Sequence, residues 1–278
     1  MLSIIIVNYK NPPLLRLCLK SLAKTLSPSF KYEILVVDVA STIETRGIVS
    51  EFPEVRLLSF KDNIGYTRGV NEGIKNSDGE AFLILNSDII PLDNSIEKMY
   101  GYLMENQDVG MVGPQLLNFD GSIQDSSFRF YGPMTVVYRR TFLGNLPWAK
   151  KELDRFLAKD MNRNEILSVD WIMGSAIMAD KKAFQKIGFM DEKLFLYMSE
   201  VDWAKRFWEN GYKVKYFPRS QMYHYHRRGS KGKFNAFDII NKETRWHIID
   251  AIRYFRKHGI SARLAKASGG ARAKSFSA

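Results

Sequence analysis

Segment 82–91 constrains the fold of this chain more than any other stretch. Its apolar run, residues 82–85, stops abruptly at three small polar residues, Asn86, Ser87 and Asp88. A short apolar run bounded by turn formers is typical of a strand buried on both faces of a parallel sheet. Ligands of open α/β sheets bind beyond the carboxyl ends of such strands. Asn86 and Asp88 therefore lie either at a site for an oxygen-coordinated divalent cation or in an ordinary Asx-rich turn.

Strand and helix patterns alternate through the first 115 residues. Buried strands are predicted at 2–7, 33–37, 55–59 and 109–112, with helical spacing at 15–26, around 48 and at 96–103. This order predicts an α/β fold with a mostly parallel central sheet flanked by crossover helices. The loops after the first two strands contain Asn8 and Asp38, so this topology places both residues at the ligand edge of the sheet.

A glycine-containing stretch, residues 62–74, follows the third strand and opens a short helix. Gly65 and Gly69 stand four residues apart, so the stretch lacks the Gly-x-Gly-x-x-Gly spacing of dinucleotide-binding loops. Free backbone N–H groups at a helix N-terminus bind a diphosphate well. The residues alone fit a plain turn equally well.

The second half of the chain gives a weaker pattern. Residues 115–168 lose periodicity, and no elements are predicted there. A strand is predicted at 169–178, where the small residues 174–176 either form a bulge or let a ligand approach the backbone. A short helix is predicted at 181–187. Glu200 and Asp202 open a further helix, in which acidic residues either stabilise the first turn electrostatically or belong to a site.

Two of the four histidines follow a predicted strand at 213–217. His224 and His226 alternate with tyrosines and run into Arg227 and Arg228. A lone histidine is usually structural, whereas this alternation beside arginines is typical of a loop that binds a metal or a phosphate.

Charge is distributed unevenly. The net charge is +11, and residues 203–278 hold 18 Lys and Arg against 4 Asp and Glu, which gives +14. Such an asymmetry indicates an anionic partner. A basic amphipathic helix is predicted over 235–259, to pack either on the protein's own core or on an anionic membrane. Residues 261–278 are predicted to form a disordered basic tail.

Several features favour a cytoplasmic protein, with peripheral contact to the inner face of the cell membrane if the basic helix binds lipid. No apolar run approaches the roughly 20 residues that span a bilayer. The first residues lack the features of a signal peptide. The single cysteine, Cys18, excludes an internal disulfide. No recognised RNA- or DNA-binding module is present, so no nucleic-acid partner is expected.

Taken together, these motifs resemble the family 2 inverting glycosyltransferases of the GT-A fold, in particular the bacterial rhamnosyltransferase-like members. The resemblance covers about residues 1–230 and rests on five stretches in the family's order: 4–9, 35–41, 63–71, 86–88 and 171–200. It implies a nucleotide-binding half of about 1–114 and an acceptor-binding half of about 115–230. A helical extension at 231–260 and the tail at 261–278 would follow.

The resemblance also implies a role for each matching residue. The implied substrate-binding residues are Asn8, Tyr9 and Asp38 at the nucleoside, Asn63, Gly65, Arg68 and Asn71 near its diphosphate, Asn86 and Ser87 beside the metal, Trp171 and Gly174 at the sugar and acceptor, and Arg227. Asp88 and His224 would hold Mg²⁺ or Mn²⁺. Glu200 would act as the catalytic base, and Asp202 is a rival for that role.

Three positions depart from the family pattern. Asn86 replaces the first carboxylate of the Asp-x-Asp signature, Val39 stands where Asn is usual, and Ser199 stands where an acidic pair with Glu200 is usual. These changes weaken the cation site, remove a polar contact near the nucleotide and leave one carboxylate at the catalytic position.

The implied reaction is metal-dependent, inverting transfer of rhamnose or another hexose from a dTDP- or UDP-sugar. The acceptor would be a glycan or lipid-linked saccharide in cell-surface polysaccharide synthesis. A base that takes the proton of the acceptor hydroxyl contributes about 10²–10⁴ in rate. The alternative is a catalytically inactive module that binds nucleotide sugars or polyanions. A glycosidase would need two carboxyl groups flanking one bond, and the nucleotide-loop motifs disfavour it.

Overall fold

The computed structural model describes residues 1–225 and 242–259. The described strands are β1 (Leu2–Asn8), β2 (Tyr32–Asp38), β3 (Val55–Ser59), β4 (Ala81–Asn86), β5 (Ile89–Pro91), β6 (Val109–Leu117), β7 (Ser127–Phe128), β8 (Leu167–Ser168), β9 (Trp171–Ile172), β10 (Ala176–Asp180) and β11 (Lys213–His224). The described helices are α1 (Pro12–Thr25), α2 (Ile43–Val49), α3 (Tyr66–Lys75), α4 (Ser95–Glu105), α5 (Thr135–Arg140), α6 (Pro147–Phe156), α7 (Lys181–Ile187), α8 (Ser199–Glu209) and α9 (Lys242–His258), with a 3₁₀ helix at Phe142–Asn145.

One large sheet organises the described part of the chain. Its strand order is β3-β2-β1-β4-β10-β6-β11-β5, and β8 pairs with β11 beside it. Strands β1 to β4 are parallel to one another, and β6 and β11 run in the same direction as they do. Only β5, β8 and β10 of this sheet run the opposite way. This arrangement confirms the mostly parallel sheet predicted from the sequence.

Both faces of the sheet are covered, as the apolar strands require. In β1, Ile4 and Ile6 pack with α1, α2 and α4, whereas Ile5 and Val7 pack with α3, α7, α8 and α9. Successive side chains of a strand point to opposite faces, so a strand without polar alternation must lie between two helical layers. The carboxyl ends of β1, β2 and β4 are thereby left at one open edge.

Two strands run further than the sequence pattern indicates, and one predicted strand is divided. Strand β6 continues to Leu117, and β11 continues to His224 with an irregular register between Phe217 and Gln221. Pro218 lies in that irregular stretch, where its missing N–H costs no ladder bond. Residues 169–178 do not form one strand. They divide into β9, which pairs with β7, and β10, which enters the large sheet.

Segment 115–168 contains short elements that pack through aromatic side chains. Phe128, Tyr131, Phe156 and Trp171 form one cluster with ring centroids 4.4–6.1 Å apart. Helix α6 buries only Ala149 and Phe156 along its length. An apolar spacing this sparse gives no helical period, which explains why the sequence pattern placed no element here.

Helix α9 packs on the protein's own core. Ala251 and Tyr254 join the cluster that covers one face of the sheet, and Asp250 is fully buried. The predicted start of this helix at residue 235 and the predicted tail at 261–278 lie outside the described residues. Within residues 1–225 and 242–259, no helix combines the length and apolarity needed to cross a membrane.

Candidate active site

A cleft of about 1070 Å³ opens at the carboxyl ends of β1, β2 and β4. It is lined by Val7, Tyr9, Asn11, Val39, Asn63, Gly65, Tyr66, Asn86, Ser87, Asp88, Phe195, Leu196, Arg245, Trp246 and Ile249. Six residues that the sequence assigned to a site are among them, namely Tyr9, Asn63, Gly65, Asn86, Ser87 and Asp88. The cleft therefore lies at the carboxyl ends of the strands, where the predicted topology puts a ligand site.

Asn8 and Asp38 form a buried polar pair beside the cleft. They are register partners at the ends of β1 and β2, and Asn8 Nδ2 donates to Asp38 Oδ1 at 2.9 Å. Both side chains are fully buried, and neither lines the cleft directly, although the neighbours Val7, Tyr9 and Val39 do. Asn8 Oδ1 and Asp38 Oδ2 have no hydrogen-bond partner among the described residues. Two buried acceptors next to the cleft are thus left without a partner in this part of the chain, which is costly for buried polar atoms.

Asp88 faces His224 across the same edge of the sheet. The short strand β5 pairs antiparallel with the end of β11, which sets His224 opposite Ile89. This register places His224 Nε2 3.7 Å from Asp88 Oδ1. That Oδ1 atom is buried and has no hydrogen-bond partner in the described part of the chain. Burial raises the pKa of Asp88 to about 6, which a hydrogen bond to its own backbone N–H offsets in part.

Gln124 fixes which ring nitrogen of His224 faces Asp88. The Gln124 Nε2 group lies 2.9 Å from the carbonyl oxygen of His224 and 2.8 Å from Asn118 Oδ1, so this atom must be the donor. Its Oε1 atom therefore accepts from His224 Nδ1 at 3.0 Å. A neutral imidazole with its proton on Nδ1 directs the Nε2 lone pair towards Asp88. Such hydrogen bonds orient histidine ligands in metal sites.

These groups fit a divalent cation that takes some of its ligands from the protein and the others from a substrate. Within the described residues, no group of three or more His, Cys, Asp and Glu side chains converges on one point. The buried Asp88 Oδ1 atom nevertheless lies 3.7 Å from His224 Nε2, which is longer than a hydrogen bond. Mg²⁺ is commonly bound by one or two carboxylates together with substrate phosphates and water. Two protein ligands are enough for a site of that kind.

Gly65 leaves room for the ring of Phe195 to pack against the start of α3. Its φ of +82° is a left-handed conformation, and a Cβ atom there would lie 2.5 Å from the ring of Phe195. Asn63 Oδ1 accepts from the Gly65 N–H at 2.9 Å and holds this turn. The N-terminus of α3 therefore meets the cleft through Gly65 and Tyr66.

Arg68 and Asn71, which were assigned to the diphosphate, are placed differently. Arg68 is exposed on α3 and does not line the cleft. Asn71 is buried, and its side chain exchanges two hydrogen bonds with the backbone of Met190 and donates a third to Glu192. Asn71 therefore attaches α3 to the segment that leads into α8.

Glu200 stands in the first turn of α8, beside the cleft. Tyr66 lines the cleft, and burial raises the pKa of its phenol well above the usual value. The charge of the nearby Glu200 carboxylate adds to this rise. Burial also raises the pKa of Glu200 to about 7, and the charge of Asp250 adds to this rise. Hydrogen bonds from its own backbone and from Ser199 oppose it. Glu200 is thus poised to exchange a proton near neutral pH.

The Asp202 carboxylate, two residues further on, is already paired with basic side chains. It is fully buried and contacts His258 at 2.7 Å, Lys257 at 2.8 Å and Arg206 at 3.0 Å. Burial disfavours its charge, but the hydrogen bond from His258 and the charges of Arg206 and Lys257 outweigh burial and lower its pKa to about 2. Asp202 therefore joins α8 to the end of α9.

Trp171 and Gly174 do not line the cleft. Trp171 is buried in the aromatic cluster and donates through Nε1 to the carbonyl oxygen of Arg129 at 3.0 Å. The carbonyl oxygen of Gly174 accepts from the Tyr66 hydroxyl at 2.6 Å. A Cβ at Gly174 would lie 2.9 Å from that hydroxyl oxygen, so the small residue accommodates Tyr66. Arg227 lies outside the described residues.

Nine cleft residues were not assigned to a site from the sequence, and five of them matter below: Tyr66, Phe195, Arg245, Trp246 and Ile249. Phe195 stacks on Trp246 with ring centroids 4.3 Å apart, so one wall of the cleft joins two distant segments. A signal for Tyr66 was available, since it follows Gly65 directly. No pattern linked residue 195 to residue 246.

Comparison with protein families gives one match over most of the chain. The family model described as glycosyl transferase family 2 matches residues 3–204. N-acetylglucosaminyl-diphospho-decaprenol L-rhamnosyltransferase of Mycobacterium tuberculosis is 27% identical over 269 residues, which cover 91% of this chain and 85% of that protein. Low-salt glycan biosynthesis hexosyltransferase Agl10 of Haloferax volcanii is 28% identical over 209 residues, which cover 74% of this chain and 61% of that protein.

Solved structures of similar shape agree with this match. The crystal structure of GalNAc-T7 with UDP, GalNAc and Mn²⁺ superposes with a TM-score of 0.66 at 14% identity, and the match covers 93% of this chain and 48% of that one. Mannosyltransferase PcManGT from Pyrobaculum calidifontis, in complex with GDP-Man and Mn²⁺, gives a TM-score of 0.58 at 18% identity, covering 91% of this chain and 64% of that one. At such identities the likeness shows the fold alone, and that fold is the predicted GT-A fold.

Proposed function

The chain belongs to glycosyl transferase family 2, and we propose that it transfers a hexose, with rhamnose as the first candidate, from a nucleoside-diphosphate donor to a lipid-linked saccharide. The observation that carries this proposal is the pairing of Asp88 Oδ1 with His224 Nε2 at the edge of the cleft. The donor diphosphate would bind beside this pair, and its nucleoside would lie along Tyr9 and Asn63, next to the buried acceptors of Asn8 and Asp38.

The proposed reaction needs a base on the acceptor side and charge stabilisation on the donor side. Glu200 would accept the proton of the acceptor hydroxyl as that oxygen attacks the anomeric carbon. We assign this role to Glu200 over Asp202 because two basic side chains and one histidine ring already hold the Asp202 carboxylate. Asp88 and His224 would hold Mg²⁺ or Mn²⁺, which supplies stabilisation of the charge that develops on the leaving diphosphate.

The relatives support the choice of substrates. The mycobacterial relative is named for a decaprenol-linked N-acetylglucosaminyl diphosphate and for rhamnose, and both structural neighbours contain Mn²⁺ with a nucleotide or nucleotide sugar. These names support a nucleotide-sugar donor and a lipid-linked acceptor, and the donor that we propose is a dTDP- or UDP-sugar. A lipid acceptor would place the reaction at a membrane surface, and we propose a role in the synthesis of a cell-surface polysaccharide. The basic charge of residues 203–278 suits an anionic inner leaflet.

A thermal-shift panel tests the donor half of this proposal. The unfolding temperature is measured with dTDP-, UDP- and GDP-sugars, each with and without Mn²⁺. One donor should raise it clearly more than the others and only when Mn²⁺ is present, because selective binding stabilises the folded state by mass action. Equal shifts from all donors, or shifts independent of Mn²⁺, would count against a specific nucleotide-sugar site. Selective binding without any transfer to acceptors would indicate a binding module.

A further inference from the structure

The outward face of α9 carries a stripe of exposed isoleucines. Ile248, Ile249 and Ile252 are 41%, 37% and 50% exposed and are called the isoleucine stripe below. Residues 245, 249, 252 and 256 recur at intervals of three and four residues, so they share one face of the helix. The stripe is therefore flanked along the helix by Arg245 and Arg256.

This stripe is continuous with the cleft. Arg245 and Ile249 line the cleft, while Ile248 and Ile252 extend the same apolar surface away from it. Arg245 is exposed and forms no ion pair with any other described residue. Contiguous exposed apolar residues at the mouth of a cleft mark a binding surface more often than isolated ones do.

The opposite face of α9 is anchored to the segment that precedes Glu200. Asp250 Oδ2 accepts from the backbone N–H groups of Leu196 and Tyr197 at 3.1 and 3.0 Å. Trp246 stacks on Phe195 in the same segment. The isoleucine stripe is thus held in a fixed position relative to the proposed base, which an acceptor hydroxyl must reach.

We propose that Arg245 and the isoleucine stripe form the subsite for the isoprenoid diphosphate of a lipid-linked acceptor. This inference rests on the proposed function, which supplies the lipid-linked acceptor. The Arg245 guanidinium matches the charge and geometry of a diphosphate. The isoleucines match a chain of branched apolar units. The nucleotide donor is proposed for the wall at Tyr9 and Asn63, so the α9 wall is left for the acceptor.

Calorimetric titration with two soluble isoprenoid diphosphates tests the subsite without requiring transfer. Farnesyl diphosphate has a chain long enough to cover the isoleucine stripe, whereas isopentenyl diphosphate carries a single branched unit. The wild-type protein should bind farnesyl diphosphate more tightly, by about tenfold or more, because the longer chain buries more apolar surface. The double variant Ile248→Ser/Ile252→Ser should lose this preference.

Two variants separate the parts of the proposal. Leu17→Ser removes an aliphatic side chain that is 43% exposed on α1, and it should retain the preference for the longer chain. Arg245→Gln should weaken both ligands by a similar factor, because both carry the diphosphate. All substituted side chains are exposed, so the unfolding temperatures should stay close to that of the wild type.

The results distinguish a failure of the subsite from a failure of the proposed function. Equal affinity for the two ligands in the wild type, no binding of farnesyl diphosphate, or an unchanged preference in the double variant would overturn the subsite. If the preference behaves as described but the protein neither binds nor transfers a nucleotide sugar, the subsite stands and the proposed function fails.

Discussion

Replacing Glu200 with Gln is expected to lower the rate of sugar transfer by about 10²–10⁴, the usual contribution of a general base. The amide keeps the shape of the side chain but cannot accept the proton of the acceptor hydroxyl. The KM for the nucleotide sugar should change little, because Glu200 is assigned to the acceptor side. Initial-rate kinetics with a saturating acceptor measure both quantities. Glu209→Gln, on the exposed end of the same helix, serves as the control and should retain activity.

The pH profile gives a second readout of the same assignment. With a pKa of about 7, Glu200 is protonated below neutral pH and ionised above it. The base form is the carboxylate, so wild-type kcat should rise with pH up to about 7 and then level off. The residual activity of Glu200→Gln should lack the rise centred near pH 7, and any rise that remains should be centred near pH 6, where Asp88 ionises. A wild-type profile that is flat between pH 5.5 and 8, or a variant that keeps the rise, would argue that another group is the base.

Replacing Asp88 with Asn should cost about 10²–10³ in transfer rate, the magnitude found when one charge-stabilising group of an active site is removed. The amide oxygen is a weaker ligand for a hard cation than the carboxylate oxygen. Binding of Mn²⁺ in the presence of a nucleoside diphosphate should weaken as well. Calorimetry measures that binding independently of activity. Asp93→Asn, an exposed position five residues further on, should leave both quantities unchanged. Unchanged Mn²⁺ binding in Asp88→Asn would remove the proposed metal site.

Much of the sheet and one side of the site followed from the sequence. Buried strands that end in Asn8, Asp38 and Asn86 indicate a parallel sheet, because its strands lie between two layers of helices. Once the sheet is parallel, the topology brings these strand ends to one edge, and Asp88 with them. The sequence left Gly65 either in a plain turn or at a diphosphate, and its left-handed φ, which favours glycine, shows a turn there.

Other parts of the site depend on contacts between distant segments, which local patterns do not encode. The link from Asn71 to Met190 and the stack of Phe195 on Trp246 join residues at least 50 positions apart. The orientation of the His224 ring depends on Gln124, whose amide is held by the His224 carbonyl oxygen and by Asn118 Oδ1. Glu200 and Asp202, both in the first turn of α8, remained rivals for the role of base in the sequence. The structure distinguishes them, because the cations of α8 and α9 reach only one of them, Asp202.

A crystal structure of the protein with its preferred nucleotide sugar and Mn²⁺ tests the central claim most directly. That claim is that Asp88 and Glu200 act on one sugar from opposite sides. The predicted result is Mn²⁺ bound to Asp88 Oδ1, His224 Nε2 and the diphosphate, with the Glu200 carboxylate on the face of the anomeric carbon opposite the diphosphate. A diphosphate bound away from Asp88, or a Glu200 side chain directed away from the sugar, would contradict it.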